Sequence, residues 1–223
     1  MKVINHAFIM AAGRGIRLRP LTNKLPKGMM PYKNTTLISN GIFKLKKFVK
    51  NIHISVGYKG SILAKHVIEN DANSIINTEG KENAWWVFNS LFKNLNEPIV
   101  VLTCDNVTTI NFRSIEKDYL KKKSPPCMLI PVKPIKGLEG DFIKHNNNIV
   151  TSLSRRNYSN IYCSGIQIIN PYKINYIMKD KKNFNQIWNF LIKKKLLYVS
   201  NIMPKKWFTV DNIHNFKKLK NIH

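Results

Sequence analysis

Between Met10 and Pro31 the chain gathers residue types suited to holding phosphate. Met10-Ala11-Ala12-Gly13-Arg14-Gly15-Ile16-Arg17-Leu18-Arg19-Pro20-Leu21-Thr22 is followed by Leu25-Pro26-Lys27 and Met30-Pro31. The stretch continues an apolar run, Ala7–Ala11, that reads as a buried strand. In α/β folds ligands bind where strands end, at the carboxyl edge of the sheet. Two alanines and two glycines let backbone N–H groups approach phosphate oxygens. Arg17 adds a donor fork matched to phosphate, and Lys27, held by Pro26, adds a point charge. Such a loop can stabilise charge on a phosphoryl centre in transfer. A basic surface loop explains any one of these residues, but not the whole stretch.

Asp105 is the second anchor. It follows Ile99–Thr103, a strong buried-strand pattern, and Cys104. A carboxylate at the end of a central strand can hold Mg²⁺ against a phosphate. A turn or helix-cap aspartate is the competing reading. Cys104 is not expected to act as a nucleophile, because no histidine lies nearby in sequence and a buried thiol is inert.

These residues need a scaffold, and the chain's periodicity supplies one. Strands are expected at Ala7–Ala11, Ile52–Val56, Ser74–Asn77, Ile99–Thr103 and Cys127–Val132. Helical spacing runs through Thr36–Phe48, Ser61–Ile68, Ala84–Leu95 and Ile115–Leu120. This alternation predicts an α/β fold with a doubly wound, mostly parallel, Rossmann-like central sheet. The second half reads differently. Short strands at Asp141–Lys144, Ile149–Leu153, Tyr162–Ile169, Leu197–Ser200 and Trp207–Val210 surround a helix over Phe184–Ile192, and a helix over Ile213–Leu219 closes the chain. That half is expected to add a small β-rich region that forms a substrate wall.

Composition bounds the alternatives. The chain has 223 residues, 43 % hydrophobic, enough for a sizeable core in one domain. Three cysteines without CxxC spacing exclude a disulfide scaffold and a zinc module and fit a reducing, cytoplasmic setting. No apolar run approaches the roughly 20 residues of a membrane span, and no signal-peptide pattern is seen. Lys and Arg number 37 against 12 Asp and Glu, a net charge of +25. Such charge suits nucleic acid, an anionic surface or a phosphorylated substrate. The lysines are scattered, however, and abundant Lys, Asn and Ile fit compositional drift. A nucleic-acid module would also leave the Gly13–Lys27 loop without a role.

The pattern Ala11-Ala12-Gly13-x-Gly15-x-Arg17-Leu18-x-Pro20-Leu21-Thr22-x3-Pro26-Lys27-x2-Met30-Pro31 resembles the signature loop of the nucleotidyltransferases that act on sugar 1-phosphates. More weakly, the resemblance runs along the whole chain. It implies one nucleotidyltransferase domain over residues 1–223, with a nucleotide-binding half (1–135) and an acceptor-binding half (136–223). It implies that Ala11, Ala12, Gly13, Arg14 and Gly15 bind a nucleoside triphosphate. By the same resemblance, Arg17 and Lys27 contact phosphates in the transition state, and Asp105 holds Mg²⁺. Lys27→Ala is then expected to lower turnover far more than stability.

Family members usually end in Trp-x-Asp-x-Gly-Thr, whose Asp is the second metal ligand; here Thr209 takes that place and Asp211 the Gly place. Cytidylyltransferases acting on phosphocholine are similar and often carry Asp there. The resemblance therefore gives the second metal position to Asp211; an N-cap role for the last helix competes. Glu79-Gly80-Lys81-Glu82-Asn83-Ala84-Trp85 stands where the family reads the base, with Asn83 as the candidate base contact. Trp85 and Trp86 are bulky where the family is small. On the acceptor side the resemblance places Asn106, Gly140, Gly165 and Arg156, the last on the acceptor phosphate. Gly140-Asp141-Phe142 and Ser164-Gly165-Ile166 are similar to uridylyltransferases acting on N-acetylmuramate 1-phosphate.

The resemblance thus implies an Mg²⁺-dependent enzyme that joins an NTP to a sugar 1-phosphate and releases pyrophosphate. An amino-alcohol phosphate such as phosphocholine is the alternative acceptor, and Tyr158, Tyr162, Trp188 and Trp207 would cage its ammonium if they converge. A catalytically dead relative is a further alternative, opposed by Arg17, Lys27 and Asp105. The expected partners are the NTP and the phosphorylated acceptor, with neither membrane nor nucleic acid, and a homo-oligomer is compatible with the sequence.

Overall fold

Alternation of apolar residues sets the strands on which everything else is hung. A computed structural model describes residues 3–138 and 140–221, with side chains described as far as Leu219. Strand β1 (His6–Met10) turns Ala7 and Ile9 to one core cluster and Phe8 to another. It leads through three short 3-10 turns, Ile16–Leu18, Leu21–Asn23 and Lys27–Met29, into a minimal hairpin of β2 (Pro31–Tyr32) and β3 (Thr35–Thr36). Helix α1 (Leu37–Lys46) begins at Thr36, whose side chain accepts the Ser39 N–H. β4 (Asn51–Val56), α2 (Gly60–Glu69) and β5 (Ser74–Asn77) follow.

The helix expected over 84–95 is interrupted. α3 (Trp85–Asn89) ends at Ser90, which adopts extended backbone and caps a 3-10 turn over Leu91–Asn94. β6 (Ile99–Thr103) then runs into β7 (Asn106–Thr109), α4 (Phe112–Lys121) and β8 (Cys127–Val132). The second half supplies β9 (Phe142–Asn146), β10 (Ile149–Ser154), β11 (Tyr162–Ile169), α5 (Pro171–Ile177), α6 (Phe184–Lys193), β12 (Leu197–Val199), β13 (Lys206–Thr209) and α7 (Ile213–Asn221). Asn170-Pro171 does more than close β11. Asn170 accepts the Lys173 N–H and Pro171 opens α5, a helix that apolar spacing alone did not announce.

Nine strands form one sheet in the order β5-β4-β1-β6-β11-β8-β12-β10-β9. The pairings leave only β10 and β11 running against the other seven. The fold is thus the expected α/β class, and the β-rich second half is continuous with the central sheet. One face packs on a core that includes Ile38, Ile42 and Leu63 of α1 and α2, the other on Trp86, Phe184 and Leu191 of α3 and α6. A third, smaller cluster, with Leu18, Met30, Val107, Val210 and Phe216, anchors the loop after β1 to the β7–β13 pair. Among the described residues no helix is long and apolar enough to cross a membrane.

Candidate active site

Parallel β5, β4, β1 and β6 end at one edge of the sheet, and the loops leaving that edge carry the predicted residues. The loop after β1 is held from several sides. Ser55 Oγ accepts the Ala11 N–H at 3.1 Å, Tyr58 donates its N–H to the Ala12 carbonyl, and the Tyr58 hydroxyl donates to the Thr22 carbonyl at 3.0 Å. Gly57 lies so close to this loop that a Cβ there would sit 2.9 Å from the Ala12 oxygen. Gly15 is in the left-handed region at φ +60°, and a Cβ on it would meet Thr22 and Lys27 at 3.1 Å. That conformation brings the chain back so that Lys27 follows the 3-10 turns inward.

Four charged side chains converge there. Lys27 Nζ hydrogen-bonds Asp105 Oδ2 and lies 3.4 Å from Asp211 Oδ1. Arg17 approaches the same Asp211 oxygen at 3.4 Å from the solvent side. Burial pushes the Asp105 carboxyl up, but the Lys27 charge together with hydrogen bonds from Lys27, Thr103 and the backbone outweighs it and holds Asp105 below the usual carboxylate value. Asp211 is driven the other way, raised by burial and by the Asp105 charge. Burial tends to lower the Lys27 ammonium, and Asp105, Cys104 and Asp211 together more than compensate, so Lys27 is raised and charged. Burial drives the Cys104 thiol up to about 12, so the thiol stays protonated at neutral pH.

The N-cap alternative for Asp211 does not hold, because Asn212 Oδ1 accepts the Asn215 N–H at the start of α7. Asp211 is left facing Lys27 and Arg17. Thr209, at the family's usual Asp place, is buried and pairs with Asn106 across β7 and β13.

The site suits a divalent cation. Asp105 Oδ1 is buried and has no hydrogen-bond partner, an anionic oxygen left for a ligand beyond Lys27. Among the described residues no cluster of three or more His, Cys, Asp or Glu occurs, so the chain can offer two carboxylates. Mg²⁺ is typically bound by one or two carboxylates, with phosphate oxygens and water completing its shell.

Beside the cluster lies a cavity of about 340 Å³ lined by Met10, Ala12, Gly13, Arg14, Ser55, Tyr58, Thr78, residues 79–83 and Trp86. Of the predicted nucleotide contacts, Ala12, Gly13, Arg14 and Asn83 line it. Ala11 is buried beneath, and Gly15 acts on Lys27 instead. A Cβ on Gly13 would meet nothing within 4 Å, so its backbone is open to a ligand. Ser55, Tyr58 and Thr78 belong to this wall; the only signal for Ser55 and Thr78 was a small polar residue at the end of a strand, and Tyr58 carried none. Asn83 Oδ1 accepts the Phe184 N–H at the start of α6, which fixes the amide plane and occupies one acceptor position of its oxygen.

The acceptor candidates are less concentrated. Asn106 is buried and engaged on both sides of its amide, accepting the Trp207 indole N–H at 2.7 Å and donating to Thr103. Its amide is thus held in place by protein partners on both sides. Gly165, at φ +78°, leaves room for the Asn106 amide, which a Cβ would approach to 3.1 Å. Gly140 lies against Tyr162, whose ring leaves no room for a Cβ there. Arg155 pairs with Asp141 at 3.5 Å, and Arg156 is exposed on the turn braced by Ser154. No described hydrogen bond or ion pair joins Arg156 to Asp105 or Asp211. The four aromatics do not form a cage: Tyr162 and Trp207 meet edge to face at 5.6 Å, while Trp188 stacks with Phe184 and bonds Gln167 in the opposite core layer.

Sheet order, the loop at the carboxyl edge and the Arg–Lys–Asp–Asp cluster together define a nucleotide-handling α/β fold. The nucleotidyl transferase family model matches residues 6–137, and the chain belongs to that family. Over 115 residues it is 28 % identical to the bifunctional protein GlmU of Methanococcus aeolicus, covering 52 % of this chain and 28 % of that protein. The mannose-1-phosphate guanyltransferase of Debaryomyces hansenii is 25 % identical over 225 residues, covering 94 % of this chain and 62 % of that one. The chain thus spans about a quarter of the GlmU relative and under two thirds of the guanyltransferase. In structure it superposes on the CTP:phosphocholine cytidylyltransferase LicC of Streptococcus pneumoniae with TM-score 0.74 at 20 % identity, covering 98 % of both chains.

Proposed function

We propose that the chain transfers a nucleotidyl group from an NTP to the phosphate of a sugar 1-phosphate, releasing pyrophosphate. The observation that carries this is the convergence of Arg17, Lys27, Asp105 and Asp211 beside the 340 Å³ cavity. An acceptor phosphate oxygen attacks the α-phosphorus, a P–O bond forms, and the bond to pyrophosphate breaks. No general base is needed, because the acceptor phosphate is already ionised at neutral pH. The protein's task is positioning and charge neutralisation. The backbone at Ala12, Gly13 and Arg14 receives the triphosphate. Arg17 and Lys27 neutralise charge on the α-phosphate and the departing pyrophosphate. Asp105 and Asp211 would hold Mg²⁺, which when bound supplies further neutralisation of phosphate charge. Arg156, on its exposed turn, would hold the acceptor phosphate, while Asn106 and Gly165 shape the wall by the Asn106 amide packing against Gly165.

The guanyltransferase relative supports a sugar 1-phosphate as acceptor. The lack of a four-aromatic cage removes the feature that would have favoured a quaternary ammonium. One domain over 1–223, working in the cytoplasm without nucleic acid or membrane, completes the reading.

The test is pyrophosphate release with Mg²⁺, crossing CTP, UTP, GTP, ATP and dTTP with sugar 1-phosphates and phosphocholine. Turnover with one sugar 1-phosphate is the expected result. Turnover with CTP and phosphocholine alone would transfer the chain to the amino-alcohol branch. No release with any pair would overturn the reading.

A further inference from the structure

Six lysines meet at a second cavity, one that the proposed chemistry does not use. It measures about 820 Å³ and is lined by Lys33, Lys44, Lys136, Lys205, Lys206 and Lys218 among others. It shares no lining residue with the 340 Å³ cavity, and none of Arg17, Lys27, Asp105 or Asp211 borders it. The lysines come from separate parts of the chain: the turn between β2 and β3, helix α1, the turn after β8, the start of β13 and helix α7. They are six of the seventeen lining residues, against 37 Lys and Arg in the 223 residues of the chain, about twice the share. No described lining residue is Asp or Glu.

The charges lack counter-ions. None of the six forms an ion pair among the described residues. Lys44 is half-buried, and its Nζ donates to the carbonyl of Thr108, which lines the same cavity, at 2.7 Å. That bond holds the ammonium in place without neutralising it. Burial, and then the Lys33 charge, keep Lys44 below the ordinary lysine value. Lys218 reaches toward the turn after β8, where a Cβ on Gly137 would stand 4.0 Å from its Nζ. The other five lysines are exposed, so their ammoniums are open to a ligand. A concave wall carrying one sign of charge focuses its field on whatever enters, and an entering anion relieves the repulsion.

Between the lysines the wall is apolar. Ile135 is 38 % exposed, and Leu138 and Phe208 are half-buried, so hydrocarbon surface also faces a ligand. The volume lies within the usual range of small-molecule sites. A phosphate group brings up to two charges and three strong acceptor oxygens on one centre, which suits several ammoniums at once.

We infer that this cavity is a second ligand site, separate from the Lys27 centre, and that it takes an organic phosphate carrying two or more negative charges on an apolar body. The site stands whatever reaction the Lys27 centre performs.

The probe is 2-naphthyl phosphate, a dianion on a two-ring apolar body. Titration calorimetry compares it with 2-naphthol, which keeps the body, and with inorganic phosphate, which keeps the charge. The double variant Lys136→Gln with Lys218→Gln removes two exposed cations and leaves the core as it is. Lys44→Gln removes the half-buried one, and Arg17→Gln serves as the control in the other site. The wild type should bind 2-naphthyl phosphate about tenfold or more tighter than either part alone. The double variant and Lys44→Gln should each bind it about tenfold more weakly, while Arg17→Gln binds it as the wild type does. Affinity should fall as salt rises, and the backbone amide resonances of Lys136, Lys205 and Lys218 should shift on binding. A folded wild type that does not bind the probe would overturn the inference. So would 2-naphthol binding as tightly as its phosphate, unchanged affinity in both lysine variants, or a loss confined to Arg17→Gln. Each of these leaves the nucleotidyltransferase reading intact, because pyrophosphate release tests that reading separately.

Discussion

Replacing Lys27 by methionine tests the centre of the site, because one side chain there serves both stability and chemistry. The Lys27 and Asp105 side chains are only 16 % and 8 % exposed, so solvent screens their pair little. Removing one partner of a buried ion pair costs about 3–5 kcal/mol. Asp105 can relieve the loss by taking up a proton, which sets the expectation at the low end, about 3 kcal/mol. For a chain of 223 residues each kcal/mol shifts Tm by about 2–4 °C, so Lys27→Met should melt about 6–12 °C lower. Turnover should fall by about 10²–10³, the usual loss when one preorganised stabiliser of transition-state charge is removed. The double variant Lys27→Met with Asp105→Asn separates the two effects. A neutral pair of similar volume should recover most of the stability, while turnover stays lost. Scanning calorimetry and pyrophosphate release read the two quantities. A single variant within about 2 °C of the wild-type Tm would show that the pair does not hold the site. A kcat within about threefold of wild type would remove Lys27 from the chemistry. From sequence alone the expectation was loss of turnover with little loss of stability; the buried pair with Asp105 adds the second effect.

Two further outcomes follow from charges the fold holds away from their ordinary state. Burial and the neighbouring Asp105 charge disfavour ionised Asp211, so Asp211→Asn should leave the Tm of the metal-free protein unchanged or slightly higher. The same change should abolish the Mg²⁺-dependent rise in Tm expected of the wild type, and a rise that persists would take Asp211 out of the metal site. His53 tests the sheet instead. Burial, with His6 stacked beside it, lowers its imidazole to about 4. The fold therefore holds the neutral ring, and an unfolded histidine gains its proton near 6.5. Stability is complete above about pH 6.5 and is lost as pH falls toward 4, by roughly 2 kcal/mol at pH 5. Urea melts at pH 7.5 and 5.0 should show that loss in the wild type and a smaller one in His53→Gln; equal slopes would refute it.

What the sequence made legible and what it hid divide along one physical line. The loop after β1 could be read because its chemistry is contiguous: Gly13, Gly15, Arg17 and Lys27 lie within 15 residues, and local backbone freedom is what they need. The strands of the first half could be read because parallel buried strands are apolar runs. Pairings across long sequence separations were hidden. β7 has no strong apolar alternation of its own and exists because β13 pairs with it, Trp207 opposite Thr108 and Thr209 opposite Asn106. Asn83 ties the turn before α3 to the start of α6, 101 residues later, and no local pattern announces that use of its carbonyl.

Asp211 shows how the two kinds of information meet. By family spacing it is two residues out of place, which from sequence left a cap and a metal ligand both open. The Asn212 cap removes the first, and the β7–β13 register shows why residue 211 faces Lys27. Thr209 is committed to the ladder, and the Val210 N–H donates to the Asp105 carbonyl at 3.2 Å. Residue 211 is then the first beyond the ladder that can turn its side chain toward Lys27. A carboxylate at 209 would be buried opposite Asn106, so the register leaves residue 211, and not 209, as the position whose acid can face Lys27.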